Sequence, residues 1–76
     1  MVTAYVMVKG RTSDVKRLRE TINDVAAVES CHIVAGDVDL IAKVDVETPG
    51  DVKGIAADAI QNIDGIENTE TYIAMN

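Results

Sequence analysis

The amino-acid sequence predicts an α+β fold of the ferredoxin-like type, with its elements in the order β-α-β-β-α-β. Three observations support this prediction. Strand-like and helix-like periodicities alternate in that order along the 76 residues. A short turn at residues 36–39 joins two apolar strands in mid-chain, which indicates an antiparallel hairpin. Finally, the two halves of the chain are faintly similar, so each half is interpreted as one strand-helix-strand unit.

The first half begins with a Val-rich strand, predicted over residues 2–9, which ends at the polar stretch 10–13. Ser13 is the predicted N-cap of a helix that runs to Asn23. One face of this helix is apolar and the opposite face is charged. The apolar positions are Val15, Leu18, Ile22 and Val25, and the charged positions are Lys16, Arg17, Arg19 and Glu20. A second strand is predicted over residues 28–35.

The second half begins with a strand predicted over residues 40–46. Thr48, Pro49 and Asp51 then form a strong helix start, because Thr can cap, Pro suits the first helical position and Asp51 stands three residues after the cap. The apolar face of this helix is predicted to consist of Val52, Ile55, Ala56, Ala59, Ile60 and Ile63. Asp64 and Gly65 end the helix, and the last strand is predicted over residues 66–75.

Right-handed crossovers in both halves predict that the first and third strands lie side by side and parallel at the centre of the sheet, with both helices on one face. The other face should be polar in a monomer. Both alternations of the strands nevertheless carry apolar residues, such as Val6 and Val8 against Tyr5 and Met7 in the first strand. We therefore expect a second copy to cover the open face, giving a dimeric α/β barrel formed by sheet-to-sheet packing.

The pattern leaves open which alternation faces the helices. In the third strand, one face carries Leu40, Ala42 and Val44, and the other face carries Ile41. In the last strand the two sets are Ile66, Tyr72 and Ala74 against Ile73 and Met75.

The amino-acid composition limits the classes of function that this chain can have. Thirteen acidic residues stand against seven basic ones, a formal net charge of −6, which argues against direct nucleic-acid binding by this chain. The sequence predicts no membrane span and no signal peptide, and its single cysteine, Cys31, fits a reducing compartment, so we expect a cytoplasmic protein. The excess of Asp over Glu, with few Lys, suits a high-salt, archaeal-type cytoplasm, and ordinary acidic solubility explains it equally.

Residues that carry enzymatic or metal chemistry are sparse. His32 is the single histidine and neighbours Cys31 within a strand, so their side chains point to opposite faces and cannot form a nucleophile-base pair. Cys31 is predicted to be a small buried hydrophobe. Asp37 and Asp39 supply too few oxygens for calcium. There is no Cys-x-x-Cys and no glycine-rich nucleotide fingerprint, so we expect neither an enzyme nor a metal site nor a cofactor.

The mid-chain hairpin is the stretch that packing explains least. Gly36 and Asp37 are ordinary turn residues, glycine because it tolerates positive φ and aspartate because it forms local hydrogen bonds. A second carboxylate, Asp39, stands at the start of an apolar strand that needs no charge. Two roles are open for Asp39: it accepts hydrogen bonds from backbone amides and fixes the turn, or it faces the ammonium of a zwitterionic ligand.

Two segments carry a family resemblance. Residues 34–44 read Val-Ala-Gly-Asp-Val-Asp-Leu-Ile-Ala-Lys-Val, and residues 60–71 contain a helix end, Gly65-Ile66, and then Thr69 and Thr71. Both segments resemble the C-terminal effector-binding domain, or RAM domain, of the Lrp/AsnC feast/famine transcription regulators. The resemblance covers essentially the whole chain. Its most telling matches are Gly36, Asp39, Leu40, Gly65, Thr69 and Thr71.

The resemblance implies an amino-acid effector site and an oligomer. RAM domains pair through their sheets into homodimers, which often join into rings of eight, and the ligand lies between dimers. By motif position Gly36, Asp37, Val38 and Asp39 would line that site, and Thr69 and Thr71 would contribute from a neighbouring subunit. Family regulators carry a helix-turn-helix domain before this one. This sequence begins at the first strand, so we expect a stand-alone domain, a single unit over residues 1–76, that partners full-length regulators.

Three classes of function therefore compete. The leading interpretation is an amino-acid-binding and oligomerisation module in transcription regulation. The second is a structural assembly partner without a ligand. The third is a cofactor-free enzyme of the dimeric α/β-barrel type, which would need a cluster of His, Asn, Trp or Arg that one histidine and no tryptophan do not supply.

Overall fold

A computed structural model describes residues 2–75, apart from the side chains of Ala56 and Ala57. The elements follow the predicted order: β1 (Val2–Gly10), α1 (Val15–Asn23), β2 (Val28–Ile33), β3 (Leu40–Val46), α2 (Pro49–Gly54, continued by a π-helical segment, Ile55–Ile60) and β4 (Ile66–Ile73). The ferredoxin-like β-α-β-β-α-β arrangement is therefore confirmed. β2 and β4 each end two residues earlier than predicted.

The four strands form one sheet in the order β2-β3-β1-β4. β1 lies beside β3 as predicted, but the two strands are antiparallel, so the predicted parallel pairing was wrong. The physical reason is the hairpin: the crossover through α1 makes β1 and β2 run in the same direction, and the hairpin then reverses the chain into β3. β1 also pairs antiparallel with β4, so each neighbouring pair of strands is antiparallel.

The helix-facing side of the sheet is the core. Ala4, Val6 and Val8 of β1 have no exposed surface. Leu18 and Ile22 of α1 belong to one core cluster with Val6 and Val8 and are equally buried, which confirms the apolar stripe of that helix. The remaining buried apolar residues are Val28, Cys31, Leu40, Ala42, Val44, Val52, Ile60 and Ile66.

A β-bulge changes the faces of the last strand. The register between β1 and β4 shifts at Lys9 and Gly10, so Ile66 stands opposite Gly10 while Asn68 stands opposite Lys9. Ile66 is therefore in the core, whereas Tyr72 stands opposite Tyr5 on the open face. Strict alternation would place Ile66 and Tyr72 on the same face of the strand. The extra residue of the bulge places them on opposite faces.

The helix starts show one prediction confirmed and one corrected. Thr48 and Asp51 form the predicted capping box, with Pro49 at the start of α2. The N-cap of α1 is Asp14 rather than Ser13, because the Asp14 carboxylate accepts a hydrogen bond from Arg17 N at 3.3 Å. The Thr12 hydroxyl in turn accepts a hydrogen bond from Asp14 N and holds the capping residue in place.

The second helix departs from regular α-geometry. Val52 and Ile60 are buried as predicted, with Ile55 and Ile63 partly buried against the core. Ala56, predicted on the same face, lies outside the described side chains. The wider π-helical turn at Ile55–Ile60 was not predicted, because the apolar spacing of the sequence fits a regular helix equally well. Within residues 2–75, neither helix has the length and apolar character that crossing a bilayer requires.

Candidate functional site

Asp39 ties the β2–β3 connection to the end of β1. Its backbone N donates to the Val8 carbonyl at 3.0 Å, and its own carbonyl accepts a hydrogen bond from Val34 N at 2.9 Å. Its carboxylate Oδ2 accepts a hydrogen bond from Gly10 N at 2.9 Å. Asp39 therefore fills the turn-fixing role, which is one of the two roles that the sequence left open. Oδ1, its other carboxylate oxygen, has no hydrogen-bond partner among the described residues.

The tip of the connection is more open than predicted. β2 ends at Ile33 and β3 begins at Leu40, so six residues join the strands instead of a tight turn. Gly36 does not have positive φ, so that expectation was wrong: a connection of this length turns without a left-handed glycine. Gly36 and Asp37 are exposed, and Val38 is half-buried. Among the described residues the Asp37 carboxylate has neither a hydrogen bond nor an ion pair.

Thr69 and Thr71 lie on a different part of the surface. Both side chains belong to the helix-facing side of β4, opposite Val8 and Val6. They line a groove of about 400 Å³ between β4 and α2. Among the described residues, its lining consists of Pro49, Val52, Lys53, Gln61, Thr69, Thr71 and Ile73. The Thr69 hydroxyl donates to Gln61 Oε1 at 2.8 Å, which fixes one wall of the groove.

One chain does not bring the six predicted site residues into one cavity. The groove is lined by both threonines and by none of residues 36–39. Asp39 and Thr69 flank Val8 from its two sides, and at roughly 4.8 Å between neighbouring strands their backbones are about 10 Å apart. Sequence reasoning missed Lys53 and Gln61, because each follows a buried or apolar helical position and suits an ordinary solvated face equally well.

Cys31 and His32 are arranged as the strand alternation predicted. Cys31 is 1% exposed in the core, and burial raises the pKa of its thiol, an effect that the nearby Arg19 partly opposes. A thiol kept protonated in the core is a poor nucleophile. His32 is exposed, next to Ile41 on the opposite face of the sheet. Over residues 2–75, no three side chains of His, Cys, Asp or Glu converge as a metal site would require.

The open face of the sheet carries an aromatic pair across β1 and the edge strand β4, and polar groups at one end of β1. Tyr5 is 38% exposed and Tyr72, directly opposite, is 55% exposed. Tyr72 Oη donates to Glu70 at 3.0 Å, and this hydrogen bond, with the charge of Glu70, raises the pKa of Tyr72. At the polar end, the Thr3 hydroxyl donates to Asp45 at 2.7 Å. This face therefore presents an aromatic pair beside fixed polar groups.

Comparisons with known proteins agree on one family. The family model described as the Lrp/AsnC ligand binding domain matches residues 3–76. Among curated proteins, the leucine-responsive regulatory protein of Haemophilus influenzae is 21% identical over 75 residues. That alignment covers 99% of this chain and 45% of the relative, so the chain spans about half the length of the curated protein that it matches.

Solved structures share the same fold. The crystal structure of TTHA0845 from Thermus thermophilus superimposes with a TM-score of 0.94 at 30% identity, over 100% of this chain and 95% of that one. The crystal structure of the transcriptional regulator NMB0573/L-Met complex from Neisseria meningitidis superimposes with a TM-score of 0.84 at 14% identity. It covers 99% of this chain and 50% of that one, and at this identity the likeness concerns the fold alone.

Proposed function

Because the chain belongs to the Lrp/AsnC ligand-binding domain family, we propose that it is an effector-binding and oligomerisation module of transcription regulation. Residues 1–76 would form one RAM domain that binds a small amino acid in the cytoplasm. The net charge of −6 supports a module without direct nucleic-acid contact of its own. Two of the similar proteins described above, from Haemophilus influenzae and Neisseria meningitidis, are named as regulators, which supports a non-enzymatic role.

The observation that carries the proposal is the pair of carboxylates at the β2–β3 connection. Asp37 is exposed without a partner among the described residues, and Asp39 has one carboxylate oxygen bonded to Gly10 N and the other unbonded. An ammonium group donates three hydrogen bonds and is attracted by both negative charges. The named L-Met complex of a regulator with the same fold supports an amino acid as the effector class.

The division of the candidate residues supports a site shared between copies. Residues 36–39 and the threonine groove are separated by β1 within one chain, so a ligand that contacts both sets needs the groove of one copy beside the connection of another. Homodimerisation through the open face and higher assembly, such as a ring of eight, would supply that arrangement. The same surfaces would allow assembly with full-length regulators of the family.

The direct test is calorimetry of the assembled protein with each of the twenty amino acids. The proposal expects saturable binding of at least one neutral or cationic amino acid, because the acidic connection disfavours Asp and Glu. If none of the twenty amino acids binds, the effector-binding part of the proposal is wrong and only the assembly role is left.

Replacing Asp39 by asparagine is expected to weaken amino-acid binding by at least tenfold. The side-chain amide oxygen of Asn can still accept the hydrogen bond from Gly10 N, so the turn is kept while the charge that attracts the ammonium is removed. Calorimetry measures the affinity, and size-exclusion chromatography with light scattering measures the oligomer. Asp58→Asn, on the exposed surface of the second helix, is the control with the same charge change. Dissociation of the D39N oligomer would instead identify Asp39 as an assembly residue.

A second candidate function, assembly without a ligand, is favoured by one observation. The Gly10–Asp39 hydrogen bond gives Asp39 a structural task that explains its presence without an effector. Under this alternative, no amino acid would change the melting temperature of the unaltered protein or of D39N. If adding one of the amino acids raises the melting temperature of the unaltered protein, the effector-binding function is favoured over this alternative.

Replacing Tyr72 by glutamate is expected to weaken the proposed homodimer by about thirtyfold or more. Tyr72 and Tyr5 form the aromatic pair of the open face, and replacing an aromatic anchor that an interface buries costs about 2 kcal/mol or more of binding free energy. Sedimentation velocity over a dilution series measures the dissociation constant. Glu20→Gln, on the exposed face of α1, is the control. An unchanged dimer in Y72E would show that the open face is not the interface.

A further inference from the structure

The open face of the sheet carries a basic group at one edge and an acidic group at the other. His32 of the edge strand β2 stands opposite Ile41 of β3. Ile41 in turn stands opposite Met7 of β1, and Met7 stands opposite Glu70 of the edge strand β4. We call these four residues the His32–Glu70 row. The row runs from an imidazole through two half-buried apolar side chains to a carboxylate.

The two ends of the row cannot pair with each other within one chain. At roughly 4.8 Å between neighbouring strands, the backbones of His32 and Glu70 are about 14 Å apart, and side chains that stand perpendicular to a sheet do not meet across that distance. Both side chains are exposed, and neither ion pair within residues 2–75 includes them. The Tyr72 hydroxyl donates to Glu70 Oε2 at 3.0 Å, so Oε1 is left to accept from another donor.

The charged groups around His32 are engaged elsewhere. Lys43 stands diagonally from it on β3 and is ion-paired to Glu29, with 3.6 Å between Nζ and Oε2. Asp39 lies diagonally on the other side, and its Oδ2 accepts the hydrogen bond that fixes the turn. α1 packs on the helix-facing side of the sheet, where Arg19 donates to a backbone carbonyl of β2. A carboxylate placed over His32 would therefore be its first direct counter-ion.

Around Glu70, the charged position on the neighbouring strand is Lys9. Lys9 stands opposite Asn68, two residues before Glu70, so it is diagonal to the carboxylate. Tyr72, two residues after Glu70 on the same side of β4, supplies the hydroxyl described above. The carboxylate thus has one neutral donor and a diagonal ammonium, and its outer surface faces away from the sheet.

Two copies can stack face to face in two simple ways, with opposite patterns of charge. Stacked sheets keep their strand directions within about 30° of each other, so the two-fold axis is either parallel or perpendicular to the strands. A parallel axis between β3 and β1 places β2 over β4 of the partner and keeps each row over the same row. His32 then lies over the partner's Glu70, twice in each dimer. A perpendicular axis places β2 over β2, so like groups meet. Complementary charge favours the parallel axis.

We propose that His32 and the partner's Glu70 form an ion pair across the sheet-to-sheet interface, and that protonation of His32 strengthens the homodimer. The inference rests on the proposed function, because it needs the dimer through the open face, and it adds a pH dependence to that assembly. Histidine is the side chain whose charge ordinarily changes between about pH 5 and pH 8. The dimer would hold the imidazolium beside a carboxylate, so association takes up protons and strengthens as the pH falls through this range.

Sedimentation velocity over a dilution series, at one ionic strength, measures the dimer dissociation constant at several pH values. The inference expects the constant to be about tenfold smaller at about pH 5.5 than at about pH 8, because each of the two symmetric pairs contributes about threefold. A constant that stays the same over this range overturns the inference. A constant that increases towards acid pH, as β2 stacked over β2 requires, overturns it as well.

The matched variants are His32→Gln, Glu70→Gln and Glu67→Gln. H32Q removes the titrating group, and E70Q removes its counter-charge while the amide oxygen can still accept from Tyr72. Glu67 is exposed and unpaired at the bulge of the same strand, so E67Q makes the same charge change outside the row. The inference expects the pH response to be lost in H32Q and in E70Q and kept in E67Q. Circular dichroism checks that all three variants fold.

The outcomes separate this inference from the proposed function. A pH response that persists in H32Q or in E70Q would overturn the inference, because another group would then be responsible, and the proposed homodimer would stand. A chain that stays monomeric at every pH would overturn the proposed homodimer together with the inference. Calorimetry with the amino acids tests effector binding independently of either result.

Discussion

Replacing Leu18 by alanine is expected to lower the free energy of unfolding by about 3–4 kcal/mol, which is within the range for fully buried leucines. Leu18 has no exposed surface and is among the largest side chains of a core that contains neither Phe nor Trp. Its δ-methyl groups also lie close to the backbone of Gly10 and of Gly65. Truncation therefore leaves a cavity where the β1–α1 connection and the start of β4 meet beneath α1.

Urea unfolding followed by far-UV circular dichroism measures this change, at one fixed protein concentration because the proposed assembly would couple to stability. Ile33→Ala is the matched control: Ile33 is 45% exposed, so its truncation should cost well under about 1 kcal/mol. Similar losses in L18A and I33A would contradict the described core. A small domain has a free energy of unfolding of about 5 kcal/mol, so L18A is expected to be largely unfolded near about 50 °C.

Replacing Gly65 by alanine is expected to cost about 2–3 kcal/mol, the second largest effect. Gly65 has φ of +100°, a backbone conformation that a residue with a Cβ atom adopts only under strain. A Cβ there would lie 2.8 Å from Arg17 Nη2 and 3.1 Å from Thr12 Cγ2. Arg17 Nη2 donates to the Asp64 carbonyl at 2.9 Å, so moving this side chain away also weakens that hydrogen bond.

Gly36→Ala is the control for G65A. A Cβ on Gly36 would meet nothing within 4 Å, and its φ is not positive, so alanine should change the free energy of unfolding by less than about 0.5 kcal/mol. The same urea titration measures both variants. If G36A is as destabilised as G65A, the open conformation described for the β2–β3 connection is wrong.

Much of the fold was predictable because the short-range sequence patterns for strands, helices and helix caps all indicated the same order of elements. The capping box at Thr48 and the apolar stripe of α1 are short-range patterns, and both are present in the structure. Long-range geometry was less predictable. Whether β1 and β3 run parallel depends on how two crossovers and a hairpin combine, and the faces of β4 depend on a bulge opposite Gly10 that has no sequence signature of its own.

The candidate site was predictable in part. The motif made residues 36–39 candidates, which stay a prediction, and the structure adds that Asp39 is held by Gly10, a residue 29 positions earlier in the chain. The groove was not predictable, because Lys53 and Gln61 come together with Thr71 only after α2 packs beside β4. Neither residue type is unusual on a helix, so no pattern distinguishes them from solvated neighbours.

β1 spans the sheet and carries a specific hydrogen bond near each of its ends. Asp39 bonds to Gly10 at one end of this strand, while at the other end Ala74 N donates to the Thr3 carbonyl at 2.8 Å. At about 3.4 Å per residue, the eight residues from Thr3 to Gly10 span roughly 24–27 Å. A strand that is hydrogen-bonded along both edges keeps its register with its neighbours, so a ligand that pulled on Asp39 would act on the whole sheet and not on β1 alone. The Thr3 end of the sheet is thereby linked to the β2–β3 connection through one continuous strand.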